Sequence, residues 1–349
     1  MWAMAMKEFR QMRRDRRTLA MMILMPVLLL VVFGYAASFD VDRVRTVVVG
    51  PRAEQVAAAL PERLEVVRVG PGEGREAAVE ALRDAEAAVA LVTTDAGQPQ
   101  VLVDGADLFS ARAVVTELRG RPGLPDPEVL FNPGLETSAI MIPGLAGVIL
   151  LFIGSLITSL GVVREREAGT LEQLAVMPLR PRDVVVGKIA PYFVVAAIDM
   201  AIILVAGVLI FDVPFNGSVW TLALGSVLFL FTALGIGVLI SSVSRSQGEA
   251  IQLALLLLLP QFLLSGLIFP LASMAPGVRW IGYVLPLTYF IEIARGVMIR
   301  GAPLEAVAEP MLYLAAIGAV VFLLAVLRFR RELAPAASEE RTELEPAVR

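Results

Sequence analysis

Hydrophobic and polar positions in this chain fall into long blocks instead of the short alternations of a water-soluble fold. A bilayer's hydrocarbon core is about 30 Å thick and takes roughly 20 apolar residues of helix to cross. Six runs approach that size: Leu19 to Ser38, Ala139 to Val163, Ile189 to Phe211, Trp220 to Val243, Ala250 to Leu271 and Met311 to Leu327. The region 272–309 holds a further apolar stretch, Trp280 to Ile299, broken by Pro286 and carrying Glu292 and Arg295. It reads as a re-entrant helical hairpin, not a seventh crossing.

Between the first two runs, residues 39–138 change character. Thr46 to Val49, Leu64 to Val69, Ala87 to Val92 and Gln100 to Val103 read as strands, and Arg52 to Leu60, Arg75 to Glu86 and Leu108 to Arg119 as helices. Alternating strands and helices predict a small layered α/β domain, with the Pro- and Gly-rich stretch 122–127 as its link back to the next run. The expected fold is therefore an α-helical integral membrane protein of six transmembrane helices with an inserted α/β extracytoplasmic domain.

Composition supports lipid as the solvent: 57% of the 349 residues are hydrophobic, 18% are charged, and mean hydropathy is +0.74. The net charge of −4 conceals a segregated pattern. Lys and Arg gather in the first 18 residues, in 164–188, at Arg245 and at the start of the 328–349 tail, whereas the loop Asp212 to Ser218 has none. The positive-inside rule then places both termini in the cytoplasm of a cell-membrane (inner-membrane) protein and the α/β domain outside. Trp2, Met6, Phe9 and Met12 recur at helical spacing within the basic lead, which reads either as an amphipathic helix over 1–18 lying against the inner membrane surface or as a simple positive flank that sets orientation. The first run is longer than the apolar part of a secretory signal, so an uncleaved anchor is expected. Basic residues segregated in this way point to membrane lipid and give no nucleic-acid-binding pattern.

Candidate chemistry is sparse. The chain has no Cys and no His, which removes disulfides, thiolate and imidazole catalysis and the usual zinc sites. Gly70-Pro71-Gly72-Glu73-Gly74-Arg75 is glycine-rich but lacks the Lys-Ser/Thr end of a phosphate-binding loop, so it reads as a turn. Ser155, Ser159 and Ser265 lie within runs that offer no base partner, which argues against a serine protease. No catalytic residue, metal or cofactor is expected in this chain, and it is not read as an enzyme. Asp199 stands in the middle of a crossing, where an ionisable group is costly. Two readings stay open for it, a place on a transport route and a helix-packing hydrogen bond.

The connection 164–188 is the most distinctive polar segment. After Gly169, Thr170 can cap a short helix with Leu171, Leu174 and Ala175 on one side and Glu172 and Gln173 on another, stopped by Pro178. Glu165 to Leu174, followed by Pro178-Leu179-Arg180 and Gly187-Lys188, is similar to the cytoplasmic signature of the membrane subunits of ABC-2 type exporters. A second block, Gln252 to Pro270 with Pro286 to Gly296, resembles the same family in the same order. The resembling branch carries a large external domain after the first crossing.

This resemblance implies a permease half that pairs with a second copy or a paralogous permease, binds a separate ABC ATPase subunit that holds the ATP, and exports a substrate. It implies a coupling role for Glu165, Glu167, Gly169, Thr170, Leu171, Glu172 and Leu174, with the helix at Gly169 to Met177 docking into the ATPase. The few charges in the crossings point to an amphiphilic or hydrophobic substrate such as a drug or lipid. A membrane-anchored sensor or scaffold whose external domain binds a ligand is the alternative, and it would co-purify without an ATPase.

Overall fold

A computed structural model describes residues 43–95, 98–118, 126–168 and 181–333, with backbone alone at 181–189 and 329–333. The basic lead 1–18, the first apolar run, Gly169 to Met177 and the tail beyond 333 lie outside the described residues.

The chain enters through an α/β domain. Its elements are β1 (Val44–Val49), α1 (Ala53–Ala59), β2 (Leu64–Gly70), α2 (Arg75–Arg83), β3 (Val89–Val92), β4 (Gln100–Asp104), α3 (Leu108–Leu118) and β5 (Glu128–Leu130). They build one five-stranded sheet in the order β2-β1-β3-β4-β5. β1 runs parallel to β2 and β3, β4 is antiparallel to β3, and β5 is parallel to β4. Side chains on successive strand residues point to opposite faces. Val44, Val48, Val89, Leu91, Val101 and Val103 accordingly pack beneath α1 and α3. Val47, Val49, Ala90, Val92 and Leu102 pack beneath α2. Burial on both faces explains why these strands read as unbroken valine-rich runs. β5 was not among the expected strands. Three residues starting with Glu128 carry too little apolar pattern, and their hydrogen bonding to β4 is what makes them a strand.

The rest is helical. α4 (Thr137–Glu167), α5 (Pro181–Phe211), α6 (Val219–Val243), α7 (Gln247–Leu264) and α10 (Leu304–Leu333) are each long and apolar enough, at least in part, to cross a membrane. Between α7 and α10, α8 (Pro276–Gly282) and α9 (Pro286–Arg295) continue into a π-helical turn, Gly296–Arg300, with a bend of 74° between the arms. The bend follows from Pro286, which starts α9 and cannot extend the helix before it. α7 stops at Leu264, short of the predicted Leu271, because Gly266 takes φ +82°, the left-handed conformation that ends helices. α10 begins at Leu304, before the predicted Met311, since Glu305 and Glu309 break the apolar run without breaking the helix.

Helix packing uses close approaches of small residues. A Cβ on Gly237 of α6 would lie 2.6 Å from the Ser155 carbonyl oxygen of α4, and one on Gly147 of α4 would lie 2.6 Å from the Phe290 ring of α9. Phe290 itself stacks on Phe229 of α6 with centroids 4.3 Å apart. The bundle core extends into the α/β domain, because Ala106 and Leu108 belong to the same buried cluster as Ile140, Phe229 and Phe290. Outward faces are apolar, as on α5 with Val194, Val195, Ile198, Ile202 and Val205, which is the composition lipid or another apolar helix requires.

Candidate functional site

Connectivity places the end of α4, the start of α5 and the α6–α7 turn together at the end of the bundle remote from the α/β domain. At about 1.5 Å per residue, the 31-residue α4 is longer than the hydrocarbon core, so its last turn, Arg164 to Glu167, projects beyond the apolar layer. That turn meets the connection between α6 and α7, where two helix termini have backbone groups without helical partners.

Each is met by a side chain of suitable charge. Arg166 Nη1 donates to the carbonyl oxygen of Ser241 at 2.9 Å and to that of Ser244, a cation on the carbonyl end of α6. Glu167 lies at the amino end of α7, accepting the Gln247 backbone N–H at 3.1 Å and the Gln247 side-chain amide at 2.7 Å. Arg164 Nε donates to the Gln247 side-chain oxygen at 3.2 Å. Ser246 and Glu249 complete the cap of α7, the serine accepting from Glu249 N–H and the carboxylate from Arg245 N–H. One turn of α4 thus grips both sides of the α6–α7 turn.

Of the predicted coupling residues, Glu167 is in this clasp, and Glu165 is half-buried beside it. Gly169, Thr170, Leu171, Glu172 and Leu174 lie outside the described residues. Gln247 and Arg166 were missed by the sequence reading. The Ser246-x-x-Glu249 pattern does mark the start of a helix whose first N–H groups need acceptors, but it does not say which residue supplies them. Asp199 is half-buried on α5, between buried Ala196 and Met200 and exposed Ile198 and Ile202. Among the described residues it has no hydrogen-bond or ion-pair partner.

At the opposite end the bundle meets the α/β domain. Asp104, at the end of β4, pairs with Arg300 of the π turn at 2.9 Å, with side chains 1% and 11% exposed. The Ala106 N–H donates to the other oxygen of Asp104 at 2.8 Å. Burial pushes the Asp104 carboxyl above the ordinary aspartate range, against the opposing pull of Arg300. Asn132 fixes the entry to α4 by donating to the Gly105 and Glu136 carbonyls and accepting from Glu136 N–H. Among the described residues no group of three or more His, Cys, Asp or Glu is placed to hold a metal. The polar clusters join helices and domains; neither sets a nucleophile beside a base.

Comparison with known sequences gives matches along nearly the whole chain. Residues 16–327 match the family described as ABC-2 family transporter protein. The probable multidrug ABC transporter permease YbhS of Escherichia coli is 29% identical, with 95% of this chain and 97% of that protein aligned. The permease YbhR of the same organism, also described as a probable multidrug ABC transporter permease, is 26% identical over 95% of this chain and 99% of its own length. ABC transporter G family member 20 of Dictyostelium discoideum is 28% identical over 57% of this chain, which corresponds to 27% of that longer protein.

Proposed function

This chain belongs to the ABC-2 transporter family, and from that premise we propose that it is the permease subunit of an ATP-driven exporter whose ATPase is a separate polypeptide. The observation that carries the reading is the clasp at the end of α4. The segment 169–180 connects α4 to α5, and a push on it acts on a helix end already bound to the α6–α7 turn through Arg166 and Glu167. Four helices then move together, as rocking between inward- and outward-open states requires.

In this reading the 169–180 segment faces the cytoplasm and docks into the ATPase through Leu171 and Leu174, with Glu165, Gly169, Thr170 and Glu172 framing the contact. Both termini are cytoplasmic, the α/β domain is outside, and ATP is bound only by the partner. A second copy or a paralogous permease completes the route. Support for that partner comes from the exposed stripe Leu145, Ile149, Ile153 and Ile157 on α4, repeating every fourth residue. Asp199, a carboxyl without a described partner, is assigned to the route. The substrate is amphiphilic or hydrophobic, a reading supported by spans with few charges and by relatives named as multidrug permeases.

Replacing Leu171 and Leu174 together with Asp tests the assignment. The chain should remain inserted in the membrane while losing the ATPase in a pull-down of the full complex. Retained association would refute the docking assignment, and a native chain that copurifies with no ATPase would favour the sensor or scaffold.

A further inference from the structure

The hairpin formed by α8, α9 and the π turn closes the end of the bundle beside the α/β domain. Leu287, Phe290, Ile293, Val297 and Met298 are buried among α4, α6 and the start of α10. In the export reading above, this is the end toward which a solute leaves, and the hairpin is taken as part of the barrier there. Two arginines hold it. Arg295 donates to the Ile140 carbonyl in the first turn of α4 at 3.2 Å and, more weakly, to the Gly266 and Leu267 carbonyls beyond the end of α7 at 3.4 and 3.5 Å. Arg300, five residues on, reaches across 196 residues of sequence to Asp104 of the α/β domain. Asn216, in the loop between α5 and α6, completes the grip: its backbone N–H donates to the Met298 carbonyl and its side-chain amide to the Ile299 carbonyl.

The two kinds of grip differ. Arg295 and Asn216 bind the hairpin to the bundle, whereas Asp104 binds it to a separate folded layer. A buried ion pair is costly to desolvate, so it adds little net stability, but leaving one partner buried without the other is severely unfavourable. Such a pair specifies position more than it adds stability. The geometry points to Asp104 and Arg300 as positioning residues for export: they fix the hairpin to the α/β domain, so that the outer barrier opens only when the domain moves with it. This rests on the export reading above.

The test uses the full chain with its ATPase in reconstituted membranes. Because the chain has no cysteine, Met298→Cys introduces a unique thiol at a buried position of the π turn. Its reaction with a membrane-impermeant maleimide added on the α/β-domain side is timed with and without ATP. In the parent Met298→Cys chain, labelling should be slow and should accelerate with ATP. Adding Asp104→Asn or Arg300→Gln should raise the ATP-free rate at least tenfold and remove the ATP response. Arg300→Lys, which keeps the charge, should restore most of the parent behaviour, separating positioning from a general failure to fold. Parent-like rates and ATP responses in Asp104→Asn and Arg300→Gln would overturn the proposal. If ATP changes labelling in no chain, the parent included, while the two variants still label fast, the export reading falls and the joint stands as an anchor only.

Discussion

Replacing Arg166 with Met keeps most of the side chain's bulk and removes its charge and its donors. In the native chain, Arg166 supplies charge-assisted bonds to the Ser241 and Ser244 carbonyls at the end of α6, both in fully buried residues. Hydrogen bonds to charged groups contribute about 1.5–3 kcal/mol each when buried, and a cation at a helix carbonyl end adds about 0.3–1 kcal/mol. Arg166 is itself half-exposed, so solvent screening cuts these figures and a net loss of about 2 kcal/mol is expected. That loss is local. It should appear as roughly 30-fold faster amide exchange at Ser244, whose N–H bonds to Ile240, and at Gln247 and Ala250 in the first turn of α7. Hydrogen exchange on the purified full chain in micelles or nanodiscs reads this without any partner or substrate. Arg166→Lys should lose about half as much, because a single ammonium cannot reproduce the planar fork. Amides of the central strand β3 are the internal control and should not change. If exchange at 244–250 in Arg166→Met stays within about twofold of the native chain, the clasp does not hold the α6–α7 turn and the lever argument fails.

Packing between α4 and α6 is tested by Gly237→Ala, whose methyl would lie 2.6 Å from the Ser155 oxygen; overpacking of this kind should cost about 1–3 kcal/mol in thermal melts of the full chain. Gly248→Ala, where the nearest atom is 3.9 Å away, should be neutral or slightly stabilising, and equal losses at the two sites would dismiss the close-approach argument. Asp104 predicts a pH dependence of known sign. Burial raises its carboxyl from 3.8, so in the window above that value the native state holds more protons than the unfolded chain, and this group's contribution to stability falls as pH rises. Asp104→Asn should flatten that part of the melting profile above pH 3.8, and an unchanged slope would assign the dependence elsewhere.

Much of the architecture is legible in the one-dimensional pattern, because crossing a bilayer depends on a local quantity, the length of an uninterrupted apolar run. α4, α5, α6 and α7 begin or end within a few residues of the runs that predict them. Two of the discrepancies at helix ends have local causes, Gly266 ending α7 early and Glu305 and Glu309 concealing the start of α10, while α5 starts at Pro181, ahead of the predicted Ile189. The strands of the α/β domain are equally readable, since valine-rich runs bounded by turns signal burial on both faces. β5 is the exception, and a three-residue strand exists only through its partner.

Residue roles at the two polar clusters were less accessible. Arg295 and Arg300 fall in the region 272–309, where the local pattern names no partner for either. The fold explains them by partners that lie 155 and 196 residues away for Ile140 and Asp104. Glu167, to which the resemblance gives a coupling role, has its carboxylate engaged by Gln247 across 80 residues, a partner the local sequence does not name. Run length and composition were thus decided by the sequence alone, as sums over neighbouring residues. Which charge meets which orphaned carbonyl or N–H was decided only when the helices packed, because a buried polar group takes its partner from whatever the tertiary fold brings within about 3 Å.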